Sequence, residues 1–450
     1  MNVYDSKRMA DLLSPLNYKL VDEPDFADLI ILNTCHIREK AEQKVYSDLG
    51  RLKPFKDNKE NDKPIIAVGG CVGQAEGVEI IRNAPYVDIV FGPQTYHQLP
   101  EMIARAHRAR DEKEKDPKLK KRGVVMTDFP VESKFDALLD IKVDGASAFL
   151  SVQEGCDKFC TFCVVPYTRG AEFSRPVSDI IAEAKNIVSK GVVEINLLGQ
   201  NVNAYHGDSP SGSGTWNLGN LIEELSQIDE LKRIRYTTSH PRDMHEDLYI
   251  AHKNKKLMPY LHLPVQSGSD SVLKSMNRKH TAKEYLEIIR RLKELRPDLI
   301  FSSDFIIGFP GESDKDFEDT LNLVREVNYA QAYSFKYSPR PGTPGAAMDM
   351  QVPENIKSER LQIIQKLLNE QQINYNESCL GSVMPVLFER KGKREGQLVG
   401  RSDYMQSVYV EGSERLLNKI VDVKIKKANP NSLVGEILTV EEILTFSDVA

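Results

Sequence analysis

Three cysteines stand close together in the middle of the sequence, at a spacing that suits a metal cluster. Cys156, Cys160 and Cys163 lie within eight residues, in the order Cys-x3-Cys-x2-Cys. Thiolates are the usual protein ligands of iron–sulfur clusters, and three of them can hold three irons of a [4Fe–4S] cube. The fourth iron then keeps an open position for a small molecule, as catalytic metal sites do. The spacing therefore predicts a catalytic iron–sulfur centre.

Two other interpretations of the triplet stay open, a zinc site and three cysteines buried in a core. Zinc bound by three cysteines usually takes a fourth ligand from a nearby His or Cys. The sequence has no further His or Cys within 35 residues on either side of the triplet. Buried cysteines behave as small hydrophobic residues, and that behaviour does not require this spacing.

The segments around the triplet predict a β/α barrel. Apolar segments typical of buried strands alternate with helix-like segments from about residue 146. Thr281 and Glu284 form the pattern of a capping box at one helix start. Six β/α units indicate a complete or partial barrel, whose working face lies at the carboxyl ends of the strands. The predicted strands are residues 149–152, 193–198, 233–236, 260–265, 300–307 and 332–337.

The N-terminal region predicts a separate α/β domain with a parallel sheet, over residues 1–108. Its strands are expected at residues 29–32, 65–70 and 87–92, and Cys35 and Cys71 each follow one of them. Ligands usually bind at that edge of a parallel sheet. Residues 109–141 are expected to be a linker. The charged residues 105–122, nine Lys or Arg and four Asp or Glu, indicate a solvated segment or a contact with a polyanion.

The C-terminal region changes its period and predicts a small antiparallel β-barrel over residues 378–442. An amphipathic helix over residues 354–375 ends the central domain, residues 142–375, and a loop at 207–214 is expected to be mobile. The strands of the small barrel are expected at residues 383–389, 405–410, 420–427 and 432–438. Basic residues cluster in one turn, with Phe388, Tyr404 and Tyr409 nearby, and this cluster indicates either a solvated hairpin turn or a surface that suits phosphates and exposed bases of RNA. These basic residues are Arg390, Lys391, Lys393 and Arg394.

Length and charge exclude several classes of protein. A chain of 450 residues indicates two to four domains. The 60 basic side chains are outnumbered by 66 acidic ones, which excludes a globally basic nucleic-acid-binding protein but not a local basic patch. The sequence has no apolar run of about 18 residues, so we expect no membrane span. The N-terminus does not resemble a signal peptide, so we expect a cytoplasmic protein.

Taken together, these motifs resemble those of the radical S-adenosylmethionine (SAM) enzymes and, among them, the methylthiotransferases. The resemblance covers essentially the whole chain. It implies a flavodoxin-like N-terminal domain that lacks its first strand, a radical-SAM partial (β/α)6 barrel and an OB-like TRAM domain that binds RNA. The motifs that carry it are residues 33–35, 38–41, 69–71, 163–170, 198–203, 264–269, 305–312 and 334–344.

The resemblance implies a tRNA-modifying activity, methylthiolation of C2 of N6-isopentenyladenosine at tRNA position 37. SAM would serve as radical source and methyl donor, and an auxiliary iron–sulfur cluster would deliver sulfur. An unactivated aromatic carbon has no acidic hydrogen at neutral pH, which is why radical chemistry is needed. The alternatives are a sister enzyme acting on another modified tRNA adenosine or on a ribosomal protein side chain, and an iron–sulfur RNA-binding protein impaired by N-terminal truncation.

The resemblance also implies ligands and partners. The cysteine triplet would hold the radical-generating [4Fe–4S] cluster, and Cys35 and Cys71 would be two of three ligands of the auxiliary one. Loops after the barrel strands would contact SAM. The chain is expected to be a monomer that receives electrons from a flavodoxin or ferredoxin. The residues expected to contact SAM are Gln200, Asn201, Gln266, Ser267, Gly308 and Glu312.

The third auxiliary ligand is missing from the start of the sequence. The family pattern begins with a strand ending Gly-Cys-Gln-Met-Asn, and this chain begins Met1-Asn2. The cysteine would then lie 36 residues before Cys35, equal to the spacing from Cys35 to Cys71. We therefore expect a misassigned gene start or a genuine truncation, with one stable cluster, SAM cleavage and little methylthiolated product from the chain as written.

Three further residues receive weaker interpretations. Cys379 matches no part of the pattern and is interpreted as structural. His262 alternates within an apolar strand and could point into the barrel, where a core or lumen histidine is favoured over a catalytic one. Asp304 could face the lumen and bind a substrate or ribose, or be structural.

Overall fold

The computed structural model describes residues 1–35, 39–57, 63–116, 118, 123–130, 134–137 and 141–438. Arg38 of the second motif, parts of the predicted linker and the last predicted residues of the small barrel lie outside this range. The chain divides into two compact units. The first contains Met1–Lys142, Glu154–Phe173 and Ser338–Ala346, and the second contains Val143–Gln153, Ser174–Tyr337 and Ala347–Ala450.

The N-terminal part of the first unit is a parallel α/β domain. Its four strands pair in sequential order, and all of them run parallel. The α/β prediction is confirmed, and each expected strand is present. The elements are α1 Asn2–Leu13, β1 Leu29–Thr34, α2 Glu39–Asp57, β2 Ile65–Gly69, α3 Gly70–Glu76, α4 Val78–Asn83, β3 Ile89–Phe91, α5 Leu99–Lys115 and β4 Val124–Met126.

This sheet is buried on both faces, as is usual for parallel sheets. Along β2, Ile65 and Ala67 pack into one apolar cluster with α1 and α5, while Ile66 and Val68 pack into a second cluster with α2 and α4. The fourth strand, β4, lies in the segment that the sequence assigned to a linker. It is too short, at three residues, to show a period, and α5 also continues into the charged segment.

The central part of the chain forms the β/α barrel. Its strands make two three-stranded parallel sheets, in the order β11-β8-β5 and β12-β13-β14, joined by a parallel bridge between Ile234 and Leu257. The predicted six-strand arrangement is confirmed, and so is the capping box of Thr281 and Glu284. The elements are β5 Ser147–Ser151, β6 Gln153–Glu154, α6 Val165–Arg169, β7 Phe173–Ser174, α7 Val177–Ser189, β8 Glu194–Leu198, β9 His206–Asp208, β10 Thr215–Asn217, α8 Leu218–Ser226, β11 Arg233–Tyr236, α9 Glu246–Ala251, β12 Tyr260–His262, α10 Asp270–Ser275, α11 Ala282–Leu295, β13 Ile300–Ile307, α12 Asp314–Val327 and β14 Gln331–Lys336.

One segment expected to be a mobile loop is a β-hairpin. The strands β9 and β10 pair antiparallel, so residues 209–214 are the connecting turn. The backbone N–H of Ser209 donates to the carbonyl of Gly214 at 3.0 Å, and the N–H of Gly212 donates to the carbonyl of Ser209 at 3.0 Å. The Gly/Ser/Pro composition indicated a loop correctly but did not show that flanking residues would pair.

A long helix connects the β/α barrel to a closed five-stranded barrel, as the OB-like prediction requires. The sequence missed β16, because Gly400 and Arg401 interrupt its alternation. Phe388 was expected to lie near bases, and that expectation was wrong, since its side chain is fully buried in the apolar core. The elements are α13 Glu354–Ser378, β15 Val383–Lys391, β16 Gln397–Ser402, β17 Ser407–Glu411, β18 Ile420–Asn429 and β19 Ser432–Ile437.

Among the described residues, no helix is both long and apolar enough to cross a bilayer.

Candidate active site

The cysteine triplet occupies the loop between β6 and α6. Gly155 begins the loop with φ of 76°, and a Cβ on this residue would lie 1.9 Å from the carbonyl oxygen of Ala171. Only glycine fits this close approach of two chain segments. The backbone N–H of Cys156 donates to the carbonyl of Gly170 at 3.3 Å, and the N–H of Cys163 donates to that of Cys160 at 2.9 Å. The backbone therefore fixes both the base and the end of the loop.

The three thiols lie in one loop with different exposure. Cys160 is buried, whereas Cys156 and Cys163 are half-buried. Burial raises the pKa of the Cys156 thiol to about 11, although a hydrogen bond from the backbone of Lys158 opposes this shift. Among the described residues, no three His, Cys, Asp or Glu side chains are arranged to hold a metal ion as they stand. The donor set nevertheless fits an iron–sulfur cluster, since it offers three thiols, and a bound cation deprotonates its thiol ligands.

A buried ion network closes the base of the loop. The Arg169 guanidinium lies 2.7 Å from Glu154 and 2.8 Å from Asp5, and Glu154 also lies 2.6 Å from the ammonium of Lys134. Burial by itself would lower the pKa of Arg169, but Asp5, Glu154 and Cys71 raise it well above its ordinary value. Arg169 is therefore a permanent cation at the foot of the cysteine loop.

Cys35 and Cys71 lie side by side at the carboxyl edge of the N-terminal sheet. The parallel bridge between Thr34 and Gly70 places the residues that follow, Cys35 and Cys71, on neighbouring strand ends. Gly70 has φ of 86°, and a Cβ there would lie 2.4 Å from the carbonyl oxygen of Thr34. The helix α3 that carries Cys71 packs against α6, which follows the triplet. The first unit therefore contains both groups of cysteines.

The second unit shapes the loop after β8, where Gln200 and Asn201 were expected to contact SAM. The side-chain oxygen of Gln153 accepts the backbone N–H groups of Gln200 at 2.8 Å and of Asn201 at 3.0 Å. The Asn201 amide donates to Asp243 at 2.8 Å. Its Oδ1 atom is buried and has no hydrogen-bond partner. An unsatisfied buried acceptor is costly, so this atom fits a ligand that donates a hydrogen bond.

The other four residues expected to contact SAM have partners within the fold. Gln266 has φ of 78°, and its backbone N–H donates to the carbonyl of Asp304 at 3.0 Å. The Ser267 hydroxyl lies 3.2 Å from that of Thr320. Glu312 accepts from the backbone of Gly308 at 3.0 Å and from Arg360 at 2.8 Å. Ser267 and Glu312 therefore shape their loops, and a direct contact of either with SAM stays a prediction.

Sequence reasoning missed the residues that support these loops. Gln153 and Glu154 immediately precede the glycine of the triplet loop, and Arg169 ends the motif that follows it. Their polar character within a buried strand and a buried helix end was the available signal. A polar residue that is buried needs a partner, and here the partners are the loops that carry the expected site residues.

His262 and Asp304 lie on adjacent strands of the β/α barrel and face each other. The Nε2 atom of His262 lies 3.5 Å from the Asp304 carboxylate, and its Nδ1 atom lies 2.9 Å from the hydroxyl of Ser302. Both side chains keep part of their surface exposed. His262 is therefore a satisfied histidine with a carboxylate partner, as the interpretation as a lumen residue requires.

The four basic residues of the small barrel lie at its surface. Arg390 and Lys391 end β15, and Lys393 and Arg394 lie in the turn before β16; all four are exposed. Lys391 also lies 2.6 Å from Glu414, an exposed pair worth little in water. Cys379 is buried in the apolar core of this barrel and donates to the carbonyl of Tyr375 at 3.3 Å, which confirms a structural interpretation.

Three family models match separate regions of the chain. The model of the radical SAM superfamily matches residues 150–324, and the TRAM domain model matches residues 377–438. The model described as uncharacterized protein family UPF0004 matches residues 1–92. The fold, the cysteine loop and these matches define the chain as a radical SAM enzyme.

Curated relatives resemble the chain over nearly its whole length. A protein of Maricaulis maris is 58% identical over 443 residues, which is 97% of this chain and 95% of the relative. One of Rickettsia canadensis is 58% identical over 445 residues, 98% of this chain and 97% of the relative. Both carry the name tRNA-2-methylthio-N(6)-dimethylallyladenosine synthase. The chain belongs to this family of synthases.

Solved structures share the fold at low sequence identity. The radical S-adenosylmethionine methyltransferase TsrM from Kitasatospora setae aligns with a TM-score of 0.53 at 13% identity, covering 88% of this chain and 77% of its own. The cobalamin-dependent S-adenosylmethionine radical enzyme OxsB aligns with a TM-score of 0.51 at 14% identity, covering 83% of this chain and 53% of its own. These likenesses support the architecture alone.

Proposed function

We propose that this chain methylthiolates C2 of N6-isopentenyladenosine in tRNA, by radical SAM chemistry. The observation that carries the proposal is the 58% identity to a named tRNA-2-methylthio-N(6)-dimethylallyladenosine synthase across 97% of the chain. The cysteine loop and the TRAM domain supply the parts that this reaction needs. The cysteine loop would start the radical reaction, and the TRAM domain would bind the RNA.

The cysteine loop is the proposed radical centre. With a [4Fe–4S] cluster bound by Cys156, Cys160 and Cys163, the open iron would bind SAM, and one electron would cleave it to methionine and a 5′-deoxyadenosyl radical. The chain's own residues hold this loop in place. Gly155 allows the two ends of the loop to approach each other. Arg169 forms ion pairs with Glu154, at the start of the loop, and with Asp5 on α1.

The loop after β8 is the proposed contact for SAM beyond the iron. Gln153 fixes the backbone of Gln200 and Asn201, so the buried Oδ1 of Asn201 is already oriented before a ligand binds. A preorganised acceptor binds a donor group with little loss of conformational entropy. The hydroxyl and amine groups of SAM are donors of this kind.

A second cluster at Cys35 and Cys71 is the proposed source of sulfur. The register of β1 and β2 holds the two thiols on neighbouring strand ends, which suits shared ligation of one cluster. Iron and sulfide counting after anaerobic reconstitution tests this proposal. Two clusters correspond to about eight irons per chain and one cluster to about four. About four irons are expected from the chain as written, because Cys35 and Cys71 are two of the three expected ligands, and about eight irons would show that another residue completes the second cluster.

The TRAM domain is proposed to bind the tRNA, through the exposed Arg390, Lys391, Lys393 and Arg394. Such a patch neutralises phosphates without reading sequence, so it would supply affinity and leave choice of the base to the barrel. The target base must leave its stack to reach a radical, as in other base-modifying enzymes. We further propose that the chain acts as a monomer and receives electrons from a flavodoxin or ferredoxin.

A purified system tests the radical chemistry separately from the tRNA product. Under dithionite, wild-type protein should form 5′-deoxyadenosine from SAM, and the Cys156→Ala variant should form none. Cys379→Ala is the matched control, because Cys379 is a buried cysteine in the core of the small barrel. Reductive SAM cleavage by a triple Cys156, Cys160, Cys163 variant would overturn the assignment of the triplet.

A further inference from the structure

Two arginines of the β/α barrel donate their hydrogen bonds to the backbone of the TRAM domain. Arg233 donates to the carbonyls of Arg401 at 3.1 Å and Pro385 at 3.0 Å. Arg235 donates to the carbonyls of Asp403 at 2.7 Å and Ser402 at 2.9 Å. Both arginines lie on β11, two residues apart, so they share one face of the sheet.

The two arginine side chains are almost completely buried, and Glu194 neutralises part of their charge. Their side chains are 2% and 4% exposed. The Glu194 carboxylate lies 3.0 Å from Arg235 and 3.7 Å from Arg233, while Asp403 of the TRAM domain lies 2.7 Å from Arg233. Although burial would raise the pKa of Glu194, the two guanidinium groups lower it. Glu194 is therefore ionised and balances one of the two guanidinium charges. Asp403 balances the other when the TRAM domain is in place.

The helix α13 fixes the same domain from another side. Asn376 donates to the carbonyl of Asn429 at 2.9 Å, and Gln372 donates to that of Pro430 at 2.8 Å. Gln406 of the TRAM domain donates to the side chain of Asn376 at 2.8 Å. A domain that turned about this helix would separate the buried Asn376 amide and the two buried guanidinium groups from their acceptors in the TRAM domain, which is strongly unfavourable.

The strand β16 connects carbonyls that accept from the two arginines to the exposed basic residues of the TRAM domain. The acceptor carbonyls of Arg401 and Ser402 end β16, and the exposed Lys393 and Arg394 lie in the turn before its first residue. Six residues of strand span about 20 Å. Because the strand is paired on both sides within a closed barrel, its two ends keep a fixed separation.

We propose that Arg233 and Arg235 act as positioning residues that hold the TRAM domain in one orientation, so that a bound tRNA presents its base at a fixed place. This inference rests on the proposed function, because it takes tRNA as the substrate. It differs from the proposal that the TRAM domain binds RNA, since it concerns where the RNA is held. A flexible tether would give affinity without this geometry.

The proposal predicts that affinity and productive turnover separate. Arg233→Lys with Arg235→Lys keeps both charges beside Glu194 but loses the forked donation to four carbonyls. The dissociation constant for tRNA should stay within about twofold, because the phosphate contacts remain. The yield of methylthiolated product per tRNA bound at saturation should fall at least about tenfold, since misplacing a substrate lowers the rate steeply. SAM cleavage without tRNA should not change.

Arg291→Lys is the matched control. Arg291 also loses a forked donation, to Glu246, and lies over the ring of Tyr249, but both of these residues belong to the β/α barrel. It should leave product per bound tRNA unchanged. Should the double variant fail to fold, Asp403→Asn removes one charge of the clamp from a partly exposed position and should give a smaller change in the same direction.

Two readouts decide the proposal. Product can be scored by nucleoside mass spectrometry in a strain that lacks the gene and carries each variant. The distance between fluorescent probes at residues 190 and 436, both exposed, reports the TRAM orientation. A narrow distribution that broadens in the clamp variants, with product lost, supports the proposal. Broadening with full product, or no broadening in either clamp variant, overturns it. Absence of product from the wild-type gene instead contradicts the proposed function, and the probe distances still test the clamp.

Discussion

The two buried ion networks of this protein use the same kinds of residue in different ways. In the first unit, Arg169 lies between the carboxylates of Asp5 and Glu154. In the second unit, Arg233 and Arg235 share the carboxylate of Glu194, Arg233 also pairs with Asp403, and both arginines donate to backbone carbonyls. Both networks pair opposed charges, and the second adds four hydrogen bonds from its arginines to backbone carbonyls.

This difference determines what each network can lose. Removing Arg169 would leave two buried carboxylates, of which Glu154 keeps its ion pair with Lys134 and Asp5 loses its ion pair with Arg169. Removing either Arg233 or Arg235 would leave the other beside Glu194. A substitution of Arg169 at the cysteine loop should therefore be strongly destabilising. A substitution of one arginine at the TRAM domain should weaken that contact only in part. The first supports the chemistry and the second supports the placement of the substrate.

The largest effect should come from the thiols that the first network supports. Cys160→Ala removes one of three proposed iron ligands, so 5′-deoxyadenosine formation should fall below detection. Liquid chromatography of the reaction under dithionite measures this product directly. Activity close to that of the wild type would show that the loop holds no cluster. The first network would then have no role in the radical chemistry.

Arg169→Gln should be the next most damaging change. Leaving Asp5 and Glu154 without their shared partner should cost about 3–5 kcal/mol in the free energy of unfolding. Denaturant unfolding with and without reconstitution measures the loss, and iron content should fall with it. Arg51→Gln, in an exposed ion pair, is the control and should cost less than about 0.5 kcal/mol. Equal losses for the two variants would contradict the importance of burial.

Neutralising the basic patch should weaken tRNA binding and leave the radical chemistry intact. With Arg390, Lys391, Lys393 and Arg394 changed to Gln, the slope of log affinity against log salt should shrink by up to about 3, because up to four counterions are no longer released. Filter binding across salt concentrations measures the slope. Four exposed lysines of the β/α barrel, Lys190, Lys274, Lys283 and Lys315, are the control set. An unchanged slope would place the tRNA elsewhere.

The smallest effect concerns pH and the second unit. Burial lowers the pKa of His252 to about 3, and the Tyr236 hydroxyl lies 2.8 Å from its Nε2 atom, so the imidazole is neutral in the folded state. The unfolded chain takes up a proton near pH 6.5, so stability should fall as the pH drops below that value. The loss from pH 7.5 to 5.5 should be about 1 kcal/mol.

Thermal unfolding at several pH values checks this expectation. His252→Gln should remove part of the acid dependence, while His107→Gln, on an exposed face of α5, should leave it unchanged. An acid dependence as steep in the His252 variant as in the wild type would show that other groups are responsible.

Much of the fold could be predicted from the sequence, because periodicity reports burial. The runs at residues 29–32 and 65–70 are apolar and bounded by turn residues, and both form strands. Where the pattern failed, the elements were short or interrupted. The three residues of β4 show no period, and Gly400 breaks the alternation of β16.

The site was predictable only where residues act through local spacing. The triplet and the glycine before it are adjacent in the sequence, so their chemistry could be inferred. The support from Asp5 to Arg169 spans 164 residues, and that from Arg235 to Ser402 spans 167. No spacing rule reports such pairs, because they exist only once the chain has folded.

The most direct test of the central claim is nucleoside mass spectrometry of tRNA from cells with and without this gene. The account predicts that 2-methylthio-N6-isopentenyladenosine disappears when the gene is deleted and that N6-isopentenyladenosine accumulates in its place. Complementation with the gene should restore the methylthiolated nucleoside, and complementation with the Cys156→Ala variant should not. An unchanged nucleoside profile in the deletion strain would contradict the account.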